Sequence, residues 1–283
     1  MLVSKVAKLV QEKQLWQPTD RLLVAVSTGV DSMVLLHLLT QLHVSFGVVH
    51  VNHQLRAASA KEAFFLTEYC QMRQIPCYQT RWEQPATTGM EAAARKFRYT
   101  FFKKIMKQHQ YSILLTAHHS DDQMETILMK LIREGNFFSS SGIRLNQPFG
   151  SGRLVRPLLT TTKAEIRTYS QENHVPYFED ETNTSLAMQR NRLRSQVLPV
   201  LKKENSQAMQ HFQQWSEQTI WAQEIIAEQQ QQWLAKYLKV DNEGYHFDVT
   251  HYLHLSEAKQ YFFIQAIKQQ LQQEQEIALT EKQ

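Results

Sequence analysis

Residues 22–36 read LLVAVSTGVDSMVLL. Leu22 to Val26 form a short, continuous apolar run, as expected of a strand covered on both faces. Beyond it, Val34, Leu35, Leu38, Leu39 and Leu42 share one broad helical face. Between strand and helix lies a tight polar loop of Ser27, Thr28, Gly29, Val30, Asp31 and Ser32. Loop amides and a helix N-terminus so placed bind anions. Gly29 permits a backbone shape or an approach that a side chain would hinder. Ser27, Thr28 and Ser32 add hydroxyl donors. The same residues also fit an ordinary turn in which Asp31 or Ser32 caps the helix. The loop is neither GxxxxGK[ST] nor GxGxxG, and it has no lysine. Asp31 at the helix start would repel a phosphate unless a divalent cation stood between them, and oxygen ligands suit magnesium.

The pattern repeats along the chain. FGVVHV (46–51) and YSILLTA (111–117) are further apolar runs, and helical spacing follows at 61–73, 91–109 and 122–133. Strands alternating with helices predict an α/β domain, a parallel sheet with helices on both faces. Residues 134–156 are rich in Gly, Ser and Asn and read as a long loop or lid. A helix is predicted after Leu158, with Thr160 to Thr162 as candidate N-caps and Glu165 near the capping-box position. Another is predicted over 190–201. After residue 205 the chain turns glutamine-rich, yet Trp215, Ile220, Ile225, Ile226 and Trp233 recur. Residues 206–283 therefore read as a small helical domain after an α/β domain of residues 1–205, with GYHFDV a short strand or turn.

The 283 residues suffice for one large and one small domain. Residues 1–205 carry 26 Lys/Arg against 17 Asp/Glu, whereas residues 206–283 carry 5 against 10. The basic part suits a polyanionic partner, or a lysine-rich solvated surface. No run of about 18 apolar residues predicts a membrane span, and the N-terminus lacks a secretory h-region. The two cysteines, Cys70 and Cys77, have no CxxC spacing, which fits a reducing cytoplasm.

STGVDS resembles the SGGxDS loop of the PP-loop ATP pyrophosphatases, with Thr28 in place of the first glycine. VVHVNHQLR (48–56), GMEAAARKFRYTFF (89–102), TAHHSDDQMETILMKLIR (116–133) and the long stretch from RPLLTTTKAEI to RNRLRSQVLPVL (156–201) resemble the tRNA(Ile)-lysidine synthetases, in that family's order. The likeness covers nearly all of residues 20–203 and extends less sharply into 206–283. It implies a PP-loop, adenine-nucleotide-hydrolase-like fold over 1–205 and a helical tRNA-binding subdomain over 206–283. The family's further C-terminal domain would lie beyond Gln283. It also implies an enzyme that ligates free L-lysine to C2 of the wobble cytidine of tRNA-Ile with a CAU anticodon. ATP first adenylates the base, pyrophosphate and then AMP leave, and codon reading changes from AUG to AUA. Mg2+, a cytoplasmic location and a homodimer come with the resemblance. Alternatives are a degenerate PP-loop tRNA-binding protein without catalysis, a PP-loop tRNA sulfurtransferase and a small-molecule amidating enzyme.

The resemblance also gives the site residues. Ser27 to Ser32, with His50 and Asn52 after the second strand, would bind ATP. His53 there also reads as packing or capping, and Arg56 would face triphosphate or tRNA. Arg95 and Arg98 would hold the α-phosphate and pyrophosphate, because a guanidinium binds phosphate bidentately. Glu91 and Arg95 also fit a simple i,i+4 pair. His118, Asp122 and Glu125 share one edge of a predicted helix. The carboxylates fit Mg2+ together with Asp31, or a lysine ammonium, or acids favoured by the helix dipole. A carboxylate or His118 would take the lysine proton, while His119 reads as structural or peripheral. Arg190, Asn191 and Arg194 would line the mouth near lysine or the base. Lys202 and Lys203 would meet phosphate. Phe137 and Phe138 would stack on an extruded base or pack within a lid.

Overall fold

The computed structural model describes residues 1–52, 59–82, 89–179, 186, 188–241 and 244–281. They form two compact units, Met1–Gln214 and Trp215–Gln283.

In the first unit, α1 (Leu2–Glu12) precedes a strand–helix alternation: β1 (Leu22–Ala25), α2 (Val30–Gln41), β2 (Phe46–Asn52), α3 (Ser59–Met72), β3 (Cys77–Arg81), α4 (Met90–Gln108), β4 (Ile113–Leu115) and α5 (Ser120–Arg133). A hairpin of β5 (Asn146–Phe149) and β6 (Gly152–Val155) follows, then α6 (Lys163–Glu172). The sheet order is β3-β2-β1-β4-β6-β5, and every pairing is parallel except β5 with β6.

Alternation along the central strands explains the two layers. Leu22 and Val24 point to the face covered by α1, α2, α3 and α6, whose Val6, Leu35, Leu66 and Ile166 complete one core. Leu23, Val49 and Leu114 point to the other face, against Phe102, Ile105 and Met106 of α4. Each fully buried Leu contributes about 1.5–3 kcal/mol of transfer free energy. The predicted capping box on α6 forms. Thr162 Oγ1 accepts from the Glu165 amide at 3.0 Å, and Glu165 accepts from the Thr162 amide at 2.7 Å.

Three strands of this sheet are absent from the sequence reading. Residues 134–156 are not wholly a lid, because they include β5 and β6, and β6 continues the parallel sheet. Pro148 and the turn at Gly150 hide this hairpin, since proline is tolerated only on an edge strand such as β5. β3 is likewise an edge strand, half covered, and CYQTR has no continuous apolar run. The sheet is thus mixed at one edge.

After α6, the helical run over 189–204 is α7 (Gln189–Arg192), a π turn (Leu193–Val197) and α8 (Leu198–Glu204). Leu193 and Leu198 pack with Met124 of α5 and with Ala208 in a third core. A long helix, α9 (Ala208–Tyr237), follows. The second unit adds a hairpin, β7 (Leu238–Asp241) with β8 (Gly244–Phe247), then α10 (Val249–Leu253) and α11 (Glu257–Glu281). Its core gathers Leu234, Tyr237, Phe247, Tyr252 and Phe263. No helix among the described residues is long and apolar enough to cross a membrane.

One glycine fixes the approach of β6 to β4. A Cβ on Gly152 would lie 2.1 Å from the Ser112 carbonyl oxygen, which accepts from the Arg153 amide at 3.0 Å. Gly152→Ala is therefore expected to cost about 1–3 kcal/mol through overpacking. Tm in a thermal melt should fall on the order of 5 °C.

Candidate active site

The strand order places the site. The chain builds β1, β2 and β3 outward in one direction, then returns to β4 on the other side of β1. Loops leaving β1 and β4 diverge at their carboxyl ends and open a crevice, the usual ligand position in such sheets. The first is the loop from Val26 into α2, and the second runs from Thr116 into α5.

The β1 loop is shaped from within. Ser32 Oγ donates to the Gly29 carbonyl at 2.9 Å and contacts the Ser27 amide at 3.1 Å. Thr28 is the left-handed residue, with φ 67°. Its hydroxyl donates to the Ser27 carbonyl at 2.5 Å and lies 3.3 Å from Glu62 of α3. The hydroxyls of Thr28 and Ser32, expected as ligand donors, here hold the loop itself. Gly29 has φ −72° and ψ 162°, which any residue adopts. A Cβ there would meet only Ser27 Oγ, at 3.6 Å. The protein's own packing thus makes no demand for glycine at 29. Beside it, the first amides of α2 have no intrahelical partners.

His50 and Asn52 end β2 behind this loop. His50 Nδ1 is 2.8 Å from the Val26 carbonyl, and burial lowers its pKa. Asn52 Nδ2 donates to the Ser59 carbonyl at 3.1 Å. Arg56 and His53 lie outside the described residues.

Across the crevice, charge is dense and paired. Glu125 is fully buried, and Arg190 Nε and Arg194 Nε reach it at 2.7 and 2.6 Å. The second nitrogens of the same two arginines reach Asp122 Oδ1 at 2.8 and 3.0 Å. Residues 190 and 194 are one helical turn apart, which lets both forks meet the pair presented by 122 and 125. Burial would raise the Asp122 carboxyl. His119, Arg190, His118 and the His119 amide outweigh that and hold it at about 2. Asp121 pairs with Lys202 and also accepts from the Lys163 amide at 3.2 Å. Lys202, expected from the sequence to meet phosphate, here sits on a carboxylate.

Asp31 also has a cation. Lys163 Nζ, from the first position of α6, lies 2.5 Å from Asp31 Oδ1. His119 is not peripheral. It is buried, with Nε2 3.8 Å from Asp31 and 3.5 Å from Asp122, and its Nδ1 has no partner among the described residues. The adjacent His118 shares a 2.9 Å contact with Thr116, and burial lowers its pKa to about 3.

Arg95 and Arg98 of α4 lie over the Tyr99 ring, at 4.6 and 5.6 Å from its centroid. Asn191 is buried beside Arg190. Phe137 and Phe138 contact each other edge to face at 5.5 Å. Sequence reasoning missed Lys163 and His119, and also Arg156 at the end of β6. The Arg156 guanidinium is buried against the Arg144 carbonyl and Gln147, and burial lowers its pKa to about 10. Lys163 gave a signal only as part of a capping box, and Arg156 none beyond its place in RPLL.

The donors available to a metal are hard oxygens, which fit magnesium held by one or two carboxylates together with substrate phosphates. Asp31, with a side chain 29% exposed, fits that description. Asp122 does not, because two guanidiniums and His119 already surround it.

Gly29→Ala should leave Tm nearly unchanged, since its Cβ has room, while weakening ATP binding about tenfold or more in calorimetric titration. A second expectation concerns acid. The folded-state pKa of His118 lies below its ordinary value of 6.5. Between pH 6.5 and about 3 the unfolded chain therefore binds the extra proton, and stability falls as pH falls. His118→Gln should flatten the urea midpoint against pH across that window.

A PP-loop domain model matches residues 1–201. The tRNA(Ile)-lysidine synthase of Enterococcus faecalis is 46% identical over 264 residues, covering 92% of this chain and 57% of that protein. That of Lactiplantibacillus plantarum is 44% identical over 222 residues, covering 76% and 50%. The chain thus spans about half the length of the curated relatives it matches. Among solved structures, the U34-tRNA thiolase NcsA from Methanococcus maripaludis with its [4Fe-4S] cluster superposes with a TM-score of 0.63. It is 16% identical over 76% of each chain, which shows the fold alone. The loop after β1 and the domain match across residues 1–201 agree: the chain belongs to the PP-loop domain family.

Proposed function

We propose that this chain carries the catalytic part of a tRNA(Ile)-lysidine synthetase. The observation that carries the reading is the crevice between β1 and β4, where the PP-loop meets the charged quartet of Asp122, Glu125, Arg190 and Arg194. Its relatives' names supply the substrate class.

In this reading ATP lies over the β1 loop, its phosphates on the amides at the start of α2. Mg2+, held by Asp31 and phosphate oxygens, would neutralise phosphate charge. The C2 oxygen of the wobble cytidine attacks the α-phosphorus, the bond to the β-phosphate breaks, and pyrophosphate leaves. The ε-amine of L-lysine then attacks C2. The C2–O bond breaks, AMP carries that oxygen away, and the amine loses a proton.

The quartet is neutral overall, two carboxylates against two guanidiniums. A bare ammonium gains little from it, but the head of a free amino acid is itself a zwitterion. Arg190 and Arg194, with side chains 39% and 36% exposed, would take its carboxylate, and its ammonium would lie on the side of Asp122, which at 11% is less buried than Glu125 at 0%. The lysine subsite read from the sequence thus becomes a zwitterion subsite that includes both arginines. His118 at about 3 and Asp122 at about 2 titrate far from neutral, so neither is a matched acceptor for the lysine proton in this arrangement.

The excess of basic residues over 1–205 supports a tRNA partner, and residues 206–283 would add a helical tRNA-binding subdomain. A cytoplasmic location and a homodimer belong to the same proposal and rest on resemblance. Sulfur transfer is disfavoured by the place of the cysteines: Cys77 opens β3 at the amino end of the sheet, away from the crevice, and Cys70 is buried in α3.

Purified protein with ATP, L-lysine and tRNA-Ile bearing CAU should release AMP in a lysine-dependent manner and form lysidine. Binding of tRNA without AMP release would instead identify a non-catalytic tRNA-binding protein.

A further inference from the structure

The PP-loop lacks the lysine that other phosphate loops carry, yet one ammonium does reach it. The geometry points to Lys163 as the cation of the phosphate cradle, held on Asp31 until a phosphate group displaces it. This assignment rests on reading the crevice as an ATP site, not on the transfer of lysine to tRNA.

Its anchor is rigid. Lys163 is the first residue of α6, whose start is fixed by the Thr162–Glu165 capping box and by the Lys163 amide on Asp121. The stem beyond is four flexible carbons ending in a point charge with three donors, suited to following a moving phosphate oxygen. The ammonium lies 2.5 Å from Asp31, the second residue of the helix that the loop opens.

The other crevice cations that sit on carboxylates meet more deeply buried partners. Arg190 and Arg194 each bridge Asp122 and Glu125, whose side chains are 11% and 0% exposed. Lys202 sits on Asp121, at 12%. Asp31 is the most exposed of these four carboxylates, at 29%, and Lys163 is similar at 28%. An ion pair is worth less the better water reaches it, whereas removing one partner from a buried pair strands a charge. Of the cations paired with these four carboxylates, Lys163 is thus the one whose release strands the least buried acid.

A simple Lys163→Met variant would confound two effects, because it also leaves Asp31 uncompensated against phosphate. The test therefore runs in an Asp31→Asn background, with EDTA present and inorganic pyrophosphate as the calorimetric probe. Thermal melts should show that each variant folds. If Lys163 contacts phosphate, D31N/K163M should bind pyrophosphate roughly tenfold or more weakly than D31N, and D31N/K163R should stay near D31N. Equal affinities for D31N and D31N/K163M would reduce Lys163 to a counter-ion of Asp31 and overturn the assignment. No pyrophosphate binding by any variant would overturn the cradle, and Lys163 with it. Lys163-dependent binding in a protein that makes no lysidine would sink the lysine-transfer reading alone.

Discussion

Two short strands, β1 and β4, lie side by side, and the chain leaves them in opposite directions. That reversal is the constraint from which the site follows. It splits the carboxyl edge of the sheet at one place only, between the loop of residues 26–29 and that of residues 116–119. Residues about 90 positions apart in sequence then face each other, as Asp31 does His119 at 3.8 Å. The apolar alternation that pins these strands between two helical layers also holds the loops still. Because β1 and β4 are buried on both faces, their ends have little freedom to drift.

Within the crevice, the arrangement of charge is costly as a device for stability. Moving carboxylates and guanidiniums out of water carries a penalty of several kcal/mol per ion, and replacing such groups by apolar side chains is often neutral or stabilising. Under the proposed function, a fully buried Glu125 holds the two arginine forks in register for a ligand. The bidentate forks fix the direction of the remaining donors, and the π turn at Leu193–Val197 shifts the helix just where Arg194 must reach back to α5. Single-turn π segments of this kind are frequent at functional sites.

Much of this was legible in the sequence because it rests on local pattern. The apolar runs 22–26, 46–51 and 111–117 marked the three central strands, and each helix after them had its own periodicity. The Thr162–Glu165 box fixed the start of α6. What escaped had its cause outside its own segment. β3 and β5 are edge strands, so their residues need not be apolar. Lys163 meets Asp31 across 132 positions, and nothing in TTTKAEI shows what its ammonium faces. His119 looked like the lesser member of a His-His pair, and only the packing of α5 against the crevice puts it between two carboxylates. The likeness of the ordered motifs to a family supplied candidate residues, but not their pairing. Asp122 was thus legible as an acid at the start of α5, and illegible as already enclosed by arginine.

Thr28 and Gly29 separate two demands that a phosphate loop usually lays on glycine together. One is conformational. The chain must turn through φ 67° at position 28, where a side chain costs about 1–2 kcal/mol and β-branching stiffens it further. That strain persists because the residue is held from several sides. Its hydroxyl lies on Ser27 and near Glu62, and its carbonyl accepts from the Phe178 amide at 3.0 Å. The other demand is clearance, and it falls at position 29, where the backbone is relaxed and the Cβ site is open. A loop with no use for an approaching ligand would have the reverse reason to economise: glycine where the backbone is strained, and any residue where it is not. Here the strained position bears a side chain and the relaxed one is bare, so neither backbone strain nor packing within the fold accounts for the glycine, and under the proposed function clearance for phosphate does.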